Sequence, residues 1–383
     1  MSRACFLVLL LLPIILLAVP TVRSEAVQYN IVGTTVDVSV ANVKFKVLGT
    51  GCIVNLTIND ELFLLYSGIR IHALTWELMT AFTSEYIMRV DIPKVEPFTN
   101  GIIVKTCAKF WKPQVYLYGT YTIYNTGVIV VNYTFVAWNT TGMHWPGIRI
   151  LFPCPEFSKV TYLATMSAGN GSAVEVPYMG GDWAKGWNCI AIPSPTNPNT
   201  YLVVITLLPH PYTQSLLRDH FTWTPLSKLA PWYRRNVGMM LVVREYEPSG
   251  GWRARPGSSI TWMYILYPHS EGRAFTEKLL TIGWELDNTI ASLITGRIHV
   301  KMPTTRRILE NLQKNISILI DKLATGDVTT ASSLAESMYD KAKNLWLTES
   351  YHELVYFVLV PSAIIFGIMI LVSIRTIKRT GGH

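Results

Sequence analysis

The sequence predicts a mainly β protein: a large antiparallel β-sandwich, then an α-helical hairpin, then one transmembrane helix. Three observations carry this. Short apolar runs that alternate with polar residues fill most of the chain. Leucines at spacings of three and four follow them. A long uncharged apolar stretch closes the sequence.

The N-terminus reads as a secretory signal peptide over 1–24. Arg3 precedes the apolar run Phe6–Val19, which is too short to span a bilayer, and small Ser24 ends it. At the other end, Leu354–Ile374 would form about 31 Å of helix, the thickness of a bilayer's hydrocarbon core. Trp346, Tyr351, Tyr356 and Phe357 gather at its entry as an aromatic belt, and Arg375, Lys378 and Arg379 follow its exit. These flanks predict a single-pass protein at the cell membrane, with its N-terminal domain outside and a basic tail, 375–383, in the cytoplasm.

Between the ends, 25–269 reads as the β domain. In Thr35–Val47 the valines alternate with polar residues, then change phase at Ala41-Asn42, which predicts a turn or bulge. VYLYGTYTIY (Val115–Tyr124) and GVIVVNYTFVAW (Gly127–Trp138) flank Asn125-Thr126 as a hairpin. GIRILF, KVTYLA, NCIAI, YLVVITLL, GMMLVVREY and SITWMYILY supply further strands. Many short strands with little helix imply two packed antiparallel sheets.

The pattern changes near Ser270. Residues 270–302 form a connecting helical region, and 303–350 a helical hairpin broken at Gly326-Asp327. Leu309, Leu312, Ile316, Leu319 and Leu323 fall on one helix face, and Leu334, Met338, Ala342 and Leu345 on the next. The hairpin is expected to act as a stalk, or as a surface for a protein partner or self-association.

In an oxidising compartment Cys52, Cys107, Cys154 and Cys189 would pair, and the shorter loops favour Cys52–Cys107 with Cys154–Cys189. Glycosylation sequons stand at Asn55, Asn132, Asn139, Asn170 and Asn315. The 383 residues carry a formal charge of +8 with only 15% charged side chains. No run of Lys and Arg suggests nucleic acid as a partner; the basic balance suits anionic surface polymers or lipid head groups. No CxxC or paired His suggests a metal, and no cofactor is expected.

Two segments concentrate residues suited to a ligand. Val176–Cys189 places Asp182 beside Trp183, with Trp187 four residues on; indole faces stack on sugar rings and a carboxylate accepts their hydroxyls. The stretch from Pro209 to Arg235 holds His210, Asp219, His220, Trp223 and Trp232. No GxSxG elbow or HExxH is present and no catalytic residue is assigned, so the reading leans away from an enzyme.

Val36–His269 also resembles the β-supersandwich of galactose-mutarotase-like domains. The phrases are GTGCIVNLTINDELFLLYSGIRI, the tyrosine-rich hairpin, WPGIRILFPCPEFSKVTYL and MYILYPHSEG. The resemblance implies a carbohydrate-associated fold, and no His and Glu catalytic pair carries over with it. The expectation is a membrane-anchored surface glycoprotein that binds a glycan or a surface partner, as receptor or accessory subunit. The alternatives are a structural or assembly protein of the surface, and a tethered carbohydrate-active enzyme.

Overall fold

A computed structural model of the chain describes residues 26–365, apart from 74–75, 80–85, 154–155, 167–168, 177–182, 186, 209–216, 219, 223, 226–237, 244, 247–251, 300–302, 346, 350–354 and 356–358. Its first half runs β1 (Gln28–Val32), β2 (Thr35–Val40), β3 (Val43–Leu48), β4 (Cys52–Ile58), β5 (Glu61–Ala73), β6 (Trp76–Met79), β7 (Ile87–Val90), β8 (Lys94–Phe98), β9 (Gly101–Trp111), β10 (Gln114–Tyr124), β11 (Ile129–Ala137) and β12 (Thr141–Pro153). Next come β13 (Tyr162–Met166), β14 (Val174–Val176), β15 (Trp183–Lys185), β16 (Trp187–Pro193), β17 (Tyr201–Leu208), β18 (Leu217–Arg218), β19 (His220–Thr222), β20 (Thr224–Pro225), β21 (Gly238–Val243), β22 (Glu245–Tyr246), β23 (Trp252–Ala254) and β24 (Ser259–His269). Three helices follow: α1 (Gly272–His299), α2 (Pro303–Ala324) and α3 (Val328–Lys343).

Two antiparallel sheets of 10 strands each form the sandwich. Sheet I has the order β1-β2-β3-β4-β5-β12-β21-β20, with β6 beside β5 and β23 beside β12. Sheet II has the order β14-β13-β16-β17-β24-β11-β10-β9-β7, with β8 beside β9. The phase change at Ala41 is a turn: Ala41 takes a left-handed backbone, φ 48°, and β2 pairs back onto β3.

Alternation decides which face each residue buries. Val36, Val38, Phe45, Ile53 and Ile150 of sheet I meet Val104, Phe110, Tyr121, Tyr133 and Trp262 of sheet II in one core. Three tyrosine hydroxyls inside it are satisfied locally. Tyr121 donates to Tyr133 at 3.3 Å, Tyr133 to the Ser67 carbonyl at 3.4 Å, and Tyr264 meets the Ser67 hydroxyl at 2.6 Å. Burial pushes all three phenols above their usual range, so they stay neutral.

A second core lies on the other face of sheet II. Val203, Ile205 and Ile265 pack there against Leu279, Leu286 and Ile290 of α1, with Leu312, Leu319 and Leu323 of α2 and Ala331, Ala335 and Met338 of α3. The layers therefore run sheet I, sheet II, helices. Strand β17, YLVVITLL, is apolar but for Thr206, whose hydroxyl donates to the Asn188 carbonyl, because it is buried on both faces.

Helices α2 and α3 follow one another across a short turn. Gly326 turns the chain with φ 88°, and the Asp327 carboxylate caps α3 by accepting from the Thr330 amide at 3.2 Å. The hairpin's placement differs from a free-standing stalk. The seam leucines Leu312, Leu319 and Leu323 are spent inside the chain, within the core beneath the helices. A helix pair with one strongly apolar face buries it against the nearest apolar surface, here chiefly α1, which itself packs on β16 and β17 of sheet II.

Among the described residues no helix is long and apolar enough to cross a membrane. Of the predicted span 354–374, residues 355 and 359–365 are described, and Leu359, Val360, Ile364 and Ile365 are exposed. Most of that span, the segment 1–24 and the tail 375–383 lie outside the described residues.

The expected Cys52–Cys107 bridge is corrected. Cys52 is buried in sheet I and Cys107 lies in sheet II as a free thiol. In β9 the residues Thr106, Ala108 and Phe110 are buried, so Cys107 belongs to the opposite, outer face. Packed sheets stand about 10 Å apart, and a disulfide spans Cα atoms no more than about 7 Å apart. Cys189 abuts α1, where a Cβ on Gly283 would stand 2.6 Å from its sulfur. Its expected partner Cys154 lies outside the described residues.

Candidate functional site

The helix layer covers the outer face of sheet II at β16 and β17 and at the Tyr124, Val130 and Ile265 end of β10, β11 and β24, and leaves the other half of β9, β10 and β11 open. Alternation has been kept there, and the outward positions carry an unusual set of side chains. Lys109 on β9 stands opposite Tyr116 on β10. Cys107 stands opposite Tyr118, and Tyr118 opposite Thr134 of β11, which in turn faces Thr261 of β24. In the next row Lys105, Thr120, Asn132 and Met263 lie side by side. Met263 already packs against the helix layer, so this row marks where the covered half begins.

Aromatic rings form the centre of this face. Tyr116 and Tyr118, two residues apart and on the same side of the strand, stack with centroids 6.0 Å apart. Trp111 lies beyond them against Tyr86 at 5.7 Å, and Trp138 closes the other side, its indole donating to the Phe110 carbonyl at 3.0 Å. Tyr118 keeps 43% of its surface exposed and Trp111 47%, large values for rings fixed on a regular sheet. Hydrogen-bonding groups border them. Thr134 and Thr261 share a bond of 3.0 Å, and the Asn132 Oδ1 is buried with no hydrogen-bond partner among the described residues.

Charges sit at the edge. The Lys109 ammonium lies 4.4 Å from the Trp138 ring centroid and 5.4 Å from that of Tyr116. Next to it is a cleft of about 270 Å³ lined by Met88, Arg89, Asp91, Cys107, Lys109 and Tyr116. Within it Arg89 and Asp91 pair at 2.6 Å. Burial, and next the Asp91 carboxylate, raise the Cys107 thiol above its ordinary range. Lys105 is paired to Glu96 at 2.6 Å.

A larger concavity of about 550 Å³ opens on sheet I, lined in part by Tyr29, Asp37, Lys44, Lys46, Asn55 and Asp60. Its charges compensate one another, Lys44 with Asp60 at 2.7 Å and Lys46 with Asp37 at 3.2 Å, and no row of rings crosses it. The smaller cleft beside the aromatic row therefore has the more distinctive chemistry.

The sequence-predicted ligand residues are placed as follows. Trp183 and His220 come from distant segments, yet β15 and β19 pair, with Trp183 opposite Thr222 and Lys185 opposite His220. The two segments singled out separately thus meet as backbone neighbours. Trp187 is partly buried and packs against the inter-sheet core. Asp182, His210, Asp219, Trp223 and Trp232 lie outside the described residues. The tyrosine-rich hairpin reads in the sequence as a hairpin and as part of the family resemblance, not as a binding face. The missed signal is that its outward positions, Tyr116 and Tyr118, are aromatic where a solvated strand face is ordinarily polar.

No protein-family model matches the sequence, and no curated protein matches it. Among solved structures, a galactose mutarotase related enzyme from Lactobacillus acidophilus matches 62% of this chain and 98% of its own, at 11% identity and a TM-score of 0.33. Galactose 1-epimerase from Lactobacillus acidophilus NCFM matches 65% of this chain and 100% of its own, at 11% identity and a TM-score of 0.40. An alpha-galactosidase from Lactobacillus brevis matches 69% of this chain at 8% identity and a TM-score of 0.40, but only 42% of its own length is covered. The solved structures that match include galactose mutarotase-like enzymes, whose domains the sequence resembles.

Proposed function

We propose that this chain is a membrane-tethered surface glycoprotein whose β-sandwich binds carbohydrate through the open outer face of sheet II. The observation that carries the reading is the row Trp111, Tyr116, Tyr118 and Trp138, partly exposed on a rigid sheet and bordered by hydroxyl and amide side chains. Aromatic faces contribute apolar contact to the carbon faces of sugar rings, and hydroxyls and amides around them satisfy sugar hydroxyls. Rings held by strand pairing lose little conformational freedom on binding, which favours affinity.

The surface address rests on the sequence, with its signal-like start, apolar C-terminal stretch and basic coda. The exposed positions of the sequons at Asn55, Asn139 and Asn170 fit such an address.

The test is a glycan-array screen of the full chain in mild detergent, with titration of any hit by calorimetry. Tyr118→Ala combined with Trp111→Ala should weaken the hit at least ten-fold while the circular dichroism stays that of the parent. Unchanged affinity in that variant, or no binding to any glycan by the parent, would overturn the reading.

A further inference from the structure

The geometry points to an acidic glycan, one bearing carboxylate or sulfate groups, as the ligand of the aromatic face, with Lys109 as its charge partner. This rests on the carbohydrate reading above and names the substrate class of that same face.

Lys109 is held in an unusual way. Its ammonium lies over two rings, Trp138 at 4.4 Å and Tyr116 at 5.4 Å, and has no carboxylate partner among the described residues. Its neighbours are different: Arg89 is paired with Asp91 and Lys105 with Glu96. The rings fix the ammonium at the rim of the cleft without neutralising it, because a ring face offers an attractive quadrupole and no counter-charge. A sugar lying on Tyr118 and Tyr116 would bring a ring substituent toward that ammonium. A neutral hydroxyl gains one ordinary hydrogen bond there. A carboxylate or sulfate gains a charge-assisted one, about twice as strong.

The remaining charges of the cleft do not reverse this preference. Asp91 is the one carboxylate lining it among the described residues, and it is engaged by Arg89 at 2.6 Å. With Arg89 and Lys109 against Asp91, the cleft carries a net positive charge.

The experiment titrates the full chain in mild detergent with a heparin hexasaccharide, a hyaluronan hexasaccharide and maltohexaose. At least one acidic oligosaccharide should bind ten-fold or more tightly than maltohexaose at low ionic strength, with the advantage shrinking as salt is added. Lys109→Gln keeps the aliphatic stem on the rings, and should erase about ten-fold of acidic affinity while leaving any neutral binding within two-fold. Lys109→Arg should retain the preference. Equal binding of acidic and neutral oligosaccharides would overturn the proposal. So would equal weakening of both by Lys109→Gln, which would mean that the lysine only packs. Neutral binding that depends on Tyr118 and Trp111 without acidic preference would sink this inference and leave the carbohydrate reading standing. Loss of acidic preference in Lys109→Gln with binding indifferent to Tyr118→Ala would place the glycan away from the aromatic rings and overturn both. No binding to any oligosaccharide would defeat both.

Discussion

His269 supplies a pH test of the join between the β and α parts. It ends β24 and is almost fully buried, stacked on Tyr201 at 5.7 Å and edge-on to Phe275 at 4.9 Å. Its Nδ1 accepts from the Glu271 amide at 3.2 Å, so the neutral ring carries its proton on Nε2. That nitrogen can donate to the Thr276 hydroxyl at 3.2 Å, and the hydroxyl donates onward to the Gly272 carbonyl at 2.9 Å. A second proton would have to enter at Nδ1, breaking the bond to the amide and charging a desolvated ring. Burial accordingly lowers the folded pKa from 6.5 to about 4. The sign follows from proton counting. Below pH 6.5 the unfolded chain takes up a proton that the folded chain refuses until about pH 4, so stability falls as pH drops through that window. At about 1.4 kcal/mol per unit, the loss between pH 7.5 and pH 4.5 is roughly 2–3 kcal/mol. His269→Gln removes this slope. Urea denaturation of parent and variant at pH 7.5 and pH 4.5 should show the parent losing roughly 2–3 kcal/mol more than the variant. Glu285, raised to about 7 by burial and then by Glu336 and Asp340, titrates with the opposite sign but is present in both proteins and cancels from the difference. Parallel stability curves for the two proteins would refute the buried, neutral histidine.

Two further outcomes test the architecture. Leu319→Ala, at a fully buried seam position, should cost roughly 2–5 kcal/mol of unfolding stability with no change in molecular mass by light scattering; dissociation of an oligomer without loss of stability would show the seam to be intermolecular after all. Cys107, raised by burial and Asp91, should alkylate slowly at neutral pH and faster in Asp91→Asn, with the modified peptide counted by mass spectrometry; an unchanged rate would separate the carboxylate from the thiol.

The sequence was most legible where one periodicity met one environment. Alternation in Thr35–Val47 located β2, β3 and the turn at Ala41, because one face of those strands meets the core and the other stays partly accessible. The unbroken YLVVITLL gave a strand but not its second covering, since an apolar run reports burial and not what does the burying. For the same reason the leucine seam of α2 was clear while its partner was not. Nothing in Leu312 or Leu319 says whether the apolar surface opposite belongs to another chain or to α1 and α3 of this one. The short strands β7 and β8 left little trace, as edge strands with mixed burial have no strong period. The aromatic face was hidden for a different reason. Tyrosine is both a common strand former and an exposed ring, so Tyr116 and Tyr118 looked like propensity until pairing placed them beside Lys109. The disulfide expectation failed because loop length ignores which face of a sheet a side chain takes.

The docking of the helices on sheet II also sets a path for mechanical load. The Thr126 hydroxyl, in the turn between β10 and β11, donates to the Ala324 carbonyl at the end of α2. The hairpin that carries the aromatic row is thus pinned to the helix pair preceding the apolar C-terminal stretch. In a tethered chain, a tug on ligand held at Tyr118 would pass through β10 and β11 into that clamp and on toward the anchor. Sheet I would be largely spared the strain. Such a layout suits a grip that must hold while its anchor is pulled.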